Sequence, residues 1–186
     1  MMEGSPAVPL SAQVTPEWLA LCAQAIMVQL NRDVARYWGG TYRVRATTSD
    51  GLLPGEIAVV LRDVLPNAPD AIAYHDVEGA DLPVAYLSLA ACSSLADVST
   101  GISHELCETA GDASCNAWRD DGSGHEYAQE ICDAVQSQGY PCEGIQVSDF
   151  VLPSFFGPLA QGPYSYVQAT GGAGPSAPFA LIAGGY

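Results

Sequence analysis

Apolar residues recur along this chain at two spacings, helical and strand-like, and the switches between them mark out its elements. Thr15-Pro16-Glu17 reads as a helix start, with Thr15 as N-cap, Pro16 at the first helical position and an acid in the first turn. That helix is predicted to run to about Tyr37 and stop at Gly39-Gly40; the apolar run inside it is interrupted by Gln24 and Gln29, as in an amphipathic helix. Thr41–Thr47 alternates as a strand does, and Ser49-Asp50-Gly51 is a turn signal. Glu56–Val64 is rich in β-formers and predicts a central strand, broken by Pro66-Asn67-Ala68-Pro69-Asp70. Ala71–His75 and Pro83–Leu89 predict two more strands, joined by the acidic turn Asp76–Asp81. Leu95–Ala110 then reads as a helix whose apolar face is Leu95, Val98, Ile102, Leu106 and Thr109, with Gly111 as C-cap. That face is expected to pack on the sheet and turn the opposite face toward a cleft. Ala113–Gly124 is a polar loop, Glu126–Gln136 predicts another helix with Tyr127, Ile131 and Val135 one turn apart, and Ile145–Leu152 predicts a strand. The resulting fold class is α+β: an N-terminal helix, a small twisted mixed sheet of three to five strands, and a helix under that sheet. Residues 1–14 are expected to form an N-terminal arm and 15–156 the domain. Residues 157–186 form a tail without one charged side chain, rich in Gly and Pro, expected to lie on the domain or on a partner.

Composition adds a strong charge bias. The 186 residues carry 21 acids against six arginines and no lysine, a formal net charge of -15. Such a surface repels phosphate, which argues against nucleic acid and anionic membranes as partners and favours cations. No stretch has the roughly 18 consecutive apolar residues of a membrane span, and the first 14 residues lack the basic and apolar regions of a signal peptide. Six cysteines allow fifteen disulfide pairings. Cys22 and Cys107 fall in predicted helices and suit buried thiols, whereas a Cys132–Cys142 clip is geometrically allowed. Asp120-Asp121-Gly122-Ser123-Gly124 lacks the closing Glu of a calcium loop and reads as a turn.

The chemistry is concentrated in Ser103-His104-Glu105-Leu106-Cys107-Glu108, a His-Glu-x-x-Glu pattern. On a helix, His104 and Glu108 stand one turn apart on one face, where an imidazole nitrogen and a carboxylate oxygen can grip one divalent cation. Glu105 lies about 100° around the helix, where a carboxylate can take a proton from metal-polarised water. Without a metal, the same residues make an i,i+4 hydrogen-bonded pair on a solvated helix face. His75, His125 and Tyr127 are candidates for stabilising an oxyanion.

A helix, several strands and then a helix carrying His-Glu-x-x-ligand resembles the N-terminal half of zincin metallopeptidases, over roughly residues 15–135. The resemblance implies a peptidase in which an edge strand aligns a peptide substrate above the motif helix. His104 and Glu108 would be metal ligands and Glu105 the general base. Glu126-Tyr127-Ala128-Gln129-Glu130-Ile131-Cys132-Asp133 looks like the segment that supplies the third ligand in gluzincins. It implies Glu130 as that ligand and Asp133 as supporting group or alternate, although the acid follows the Glu by three residues here and by four in that group. Gly111 matches the glycine that ends the metzincin helix, and by that route Asp112 is the alternate. Zn2+ suits such a set, while its oxygen-rich character moves preference toward Mn2+ or Ca2+.

Ser103–Leu106, Glu108, Asp112, Asn116, Trp118, Glu130–Asp133, Val147–Pro153, Phe155-Phe156 and Gly184–Tyr186 also match a pattern that resembles uncharacterised bacterial and bacteriophage proteins. This implies a virion-associated or exported setting without a recognisable signal peptide, with the cytoplasm left open. Two functions are therefore expected: a metal-binding zincin-like protein, a metal-dependent peptidase if active, or a catalytically silent structural protein of a bacteriophage particle. The partners would be a peptide or protein substrate in the first case, and neighbouring subunits of a homo-oligomer or particle in the second.

Overall fold

The computed structural model describes residues 9–47, 53, 55–65, 71–78 and 82–186, and the backbone alone for 75–78 and 82. It is a mixed α+β structure. A short helix α1 (Leu10–Gln13) precedes α2 (Pro16–Val28), where Thr15 caps as expected, its hydroxyl accepting from Trp18 N at 3.2 Å. The same rod continues as a π-helical turn (Gln29–Val34) and then α3 (Ala35–Trp38), ending at Gly39, whose φ of +80° only glycine adopts freely.

A three-stranded mixed sheet follows, built from β1 (Ala58–Arg62), β2 (Ala73–Glu78) and β3 (Leu82–Ser88) in the order β1-β3-β2. β3 is parallel to β1 and antiparallel to β2. The long helix α4 (Leu95–Gly111) packs beneath it. Ser94 caps α4 by accepting from Asp97 N, while Asp97 accepts from Ser93 N at 2.8 Å, a reciprocal arrangement that satisfies two otherwise orphaned donors. Beyond α4 come two small antiparallel ribbons, β4 (Trp118–Asp120) with β5 (Glu126–Ala128), and β6 (Gly139–Cys142) with β7 (Ile145–Ser148). A last short helix α5 (Tyr166–Ala169) lies within the tail.

Several expectations are corrected. Glu56–Val64 supplies an edge strand, and β3 takes the central place. Residues 41–47 join no sheet, because the Asn31 side chain captures their backbone: its amide donates to Tyr42 O at 2.9 Å and its carbonyl accepts from Tyr42 N at 3.0 Å. No helix forms over 126–136. β5 ends at Ala128, and after a turn only Asp133–Val135 makes a single 3-10 turn. Gln129 imposes this break: its N–H bonds Ala117 O at 2.9 Å and its side-chain amide bonds Gly111 O at 2.7 Å, tying the segment to the end of α4. All six cysteines are free; Cys142 Sγ lies against Ala25 O at 3.3 Å on α2, so the Cys132–Cys142 clip does not form. The Ser49-Asp50-Gly51 turn, the Pro66–Asp70 break and most of the N-terminal arm lie outside the described residues. Among the described residues, no helix is long and apolar enough to cross a membrane.

α4 is buried on more than its apolar face. Val98 and Ile102 are in the core, but so are Ser99, Ser103 and Cys107. Ser103 closes a polar knot in that interior. Its hydroxyl donates to Gln29 Oε1 at 2.7 Å and accepts from Ser148 N at 3.0 Å, while Gln29 Nε2 donates to Ser148 O at 2.9 Å. The knot joins the π-helical turn, α4 and β7 at the residue preceding His104. The sheet side of α4 is set by Gly101, where an added Cβ would lie 2.3 Å from Leu87 Cδ1 of β3. The tail lies on the domain: Phe179 packs its ring 4.9 Å from that of Tyr127 and 5.9 Å from that of Phe155.

Ser103→Ala deletes one hydroxyl and leaves both Gln29 Oε1 and Ser148 N buried without it. A loss of about 1–3 kcal/mol is expected, measured as a lower urea midpoint at unchanged slope.

Candidate metal centre

α4 carries His104, Glu105 and Glu108 to a small cavity of about 170 Å³ under the β2 edge of the sheet. Ala73 and Tyr74 of β2, Glu130 and Asp133 of the β5–β6 connection and the largely exposed Tyr186 complete its lining. The motif face was expected to turn away from the sheet; it turns toward the sheet's edge, and Glu105 and Glu108 are almost fully buried, 2% and 3% exposed.

His104 is the hub. Its Nε2 stands 3.1 Å from Glu108 Oε1 and 3.2 Å from Asp133 Oδ1. Ligands on a tetrahedral zinc at ordinary bond lengths stand roughly 3.3–3.7 Å apart, so the His104–Glu108 separation matches a metal-binding pair to within a few tenths of an ångström. A third donor joins them: ligand atoms of His104, Glu108 and Cys132 all lie within 4.8 Å of one another. Sequence reasoning treated Cys132 as a disulfide candidate and missed it. The signal was its place between Glu130 and Asp133, but on the predicted helix these three would not share a face. The turn that replaces the helix brings them to one place, with Ile131 buried beneath α4. Gly111 makes that close approach workable, since a Cβ there would lie 2.7 Å from Ile131 Cγ2.

The other candidates fall as follows. Glu130 and Asp133 both line the cavity, and Asp133 contacts His104. Asp112 does not join them; its carboxylate closes the turn after α4, accepting from Asn116 N at 2.7 Å and Ala117 N at 2.6 Å. His125 is exposed in the β4–β5 turn beside Asp121 and Ser123, and Tyr127 packs on Phe179. His75 lies on β2, with its side chain outside the described part. Tyr74 and Tyr186 are the tyrosines at the cavity.

The electrostatics favour a positive charge at the centre. Burial works against an imidazolium, but the Glu108 charge, hydrogen bonds to Asp133 and Glu108, and the Glu105 charge outweigh it, holding His104 well above its ordinary 6.5. Burial raises the Asp133 carboxyl, and the hydrogen bond from His104 opposes that rise. Burial also pushes the Cys132 thiol well above its usual value, helped by a hydrogen bond with Cys107 and by the Glu108 charge. The thiol is thus neutral without a cation; coordination would remove its proton. Tyr186 as a residue is largely exposed, but desolvation of its phenol, followed by the Asp133 charge and hydrogen bond, raises that group as well.

A folded state that binds more protons than the unfolded chain loses stability as pH rises. The His104 contribution is fully present below about 6.5, and is lost as pH climbs through the raised folded value. Metal-free protein is therefore expected to melt at a lower temperature at about pH 8.5 than at about pH 6, and His104→Gln to flatten that decline. Thermal melts of chelator-treated wild type and variant across this window check it.

Comparison of the chain with family models, with curated proteins and with solved structures finds no match.

Proposed function

We propose that this chain is a zincin-like metal-binding protein whose centre holds one divalent ion between His104, Glu108 and Cys132, and that it hydrolyses peptide bonds there. The observation that carries the reading is the convergence of these three donors: His104 and Glu108 line a carboxylate-rich cavity together with Glu105, and the buried Cys132 lies within reach of both. A thiolate donor favours Zn2+ over Mn2+ or Ca2+, which prefer oxygen. Glu130 and Asp133 then support the site from the cavity lining rather than completing it, Asp133 through its contact with His104.

An ion in this place supplies Lewis acidity toward a carbonyl and toward water. The chain's own part is to hold and move protons. Glu105 accepts one from the attacking water as its oxygen adds to the carbonyl carbon. As the carbon–nitrogen bond breaks, the proton passes to the departing amine. The cavity, about 170 Å³, admits an ion and a small substrate group and is below the size of pockets that hold large cofactors. That confinement also supports a second reading, a purely structural metal site in a silent subunit of a bacteriophage particle. The two differ in Glu105, which a structural site does not require.

Elemental analysis of purified protein by mass spectrometry is expected to give about one zinc per chain. Zinc is expected to be lost in His104→Ala and Glu108→Ala and kept in Glu105→Gln. With zinc kept, Glu105→Gln is expected to lower hydrolysis of a mixed peptide library by about 100-fold or more. Zinc without turnover in the wild type would leave the structural reading; metal-free wild type would sink both.

A further inference from the structure

The segment 182–186 runs back across the connection that supplies Cys132 and Asp133. Ile182 N donates to Ala134 O at 3.1 Å, Ser137 Oγ to Ala183 O at 2.6 Å, and Gln136 Nε2 to Gly184 O. Tyr186 N reaches Asp133 O at 3.4 Å, and the Tyr186 hydroxyl hydrogen-bonds the Asp133 carboxylate. Two glycines let the backbone lie this close. Gly184 has a φ of +89°, and a Cβ on Gly185 would sit 2.5 Å from Ala134 O, a backbone atom that cannot move aside cheaply. The tail carries no charged side chain from residue 157 on, so no side chain of this segment is repelled by the acidic cleft, and its one polar side chain at the centre is the Tyr186 phenol.

We infer that residues 182–186 form a strap that closes the metal cavity, with Tyr186 as its latch on Asp133, so that an ion enters or leaves when the strap lifts. The inference rests on the metal-binding reading above. Apart from a turn bond from Gly185 N to Ile182 O, the strap's hydrogen bonds run to residues 133–137, and its polar latch meets the Asp133 carboxylate in the cavity lining. It is therefore a local unit able to open while the core stays folded, since local openings have their own, smaller free energies. Loss of the Tyr186 ring removes both the cover and the latch. Loss of the hydroxyl alone removes the latch and keeps the cover.

Zinc-loaded full-length protein challenged with excess EDTA gives the test. Tyr186→Ala and, independently, Gly185→Val are each expected to speed zinc loss about tenfold or more at unchanged starting stoichiometry. Tyr186→Phe is expected to fall between them and wild type. Loss rates within about twofold of wild type for both Tyr186→Ala and Gly185→Val would overturn the strap. Should wild type hold no zinc, the metal-binding reading fails, and the strap is judged alone on metal-free protein. Modification of His104, which lines the cavity, by diethyl pyrocarbonate, mapped by peptide mass spectrometry, would then be faster in both variants if the strap closes the cavity. Equal rates would overturn it.

Discussion

Around one imidazole, the fold gathers four carboxylates, those of Glu105, Glu108, Glu130 and Asp133, in a single small cavity. Like charges confined in this way oppose folding unless a cation or shared protons offset them. The chain shows another solution elsewhere. Asp33, also buried, accepts a two-pronged contact from Arg32 at 2.7 and 2.8 Å and hydroxyl bonds from Tyr140 and Tyr166. Among the described residues, no arginine lines the cavity at His104. Against the effect of burial, the Glu108 charge and the hydrogen bonds to Asp133 and Glu108 raise the proton affinity of the His104 imidazole, so a proton there offsets part of the acidity. A divalent ion in that position meets the same demand with twice the charge.

The scaffold that enforces this crowding is polar as well as apolar. Ser103 is fixed by Gln29 and Ser148 from the side of α4 away from the cavity, so the next residue, His104, has little freedom to swing. On the sheet side, Gly101 lets α4 approach Leu87, and at the helix end Gly111 lets Ile131 approach. The two glycines thus set how near β2 and the β5–β6 connection come to the motif. Larger residues at either place would widen the gap that the donors span, since packed interiors transmit such changes rather than absorb them.

What the sequence made legible follows from the range of the interactions involved. The caps at Thr15 and Ser94, the stop at Gly39 and the apolar period of α4 are local, and the helices stand close to where those signals place them. The strand at 41–47 failed because one distant side chain, Asn31, claimed its backbone, and strand propensity says nothing of that competition. The helix at 126–136 failed because Gln129 bonds across to Gly111 and Ala117. The candidate site was legible in its local half, His104, Glu105 and Glu108, which share one helix. Its other half depended on the path of a connection. Cys132 reaches His104 and Glu108, and Tyr186 the cavity, through turns whose geometry is set by tertiary hydrogen bonds, and Asp112, close in sequence, is drawn off to close a turn.

Burial of Glu105 joins folding to function. A carboxylate 2% exposed beside Glu108, itself 3% exposed, adds repulsion that a purely structural three-donor site could avoid with a neutral residue. In the absence of an ion, protons must supply the compensation, and the raised His104 imidazole and Asp133 carboxyl are placed to hold them. With an ion, the imidazole and thiol give up protons and the site no longer depends on pH in that way. On the reading proposed above, the folded state and a loaded centre would support one another, and Glu105, whose charge adds to the acidity around His104, would be the group that moves a proton in a hydrolytic step.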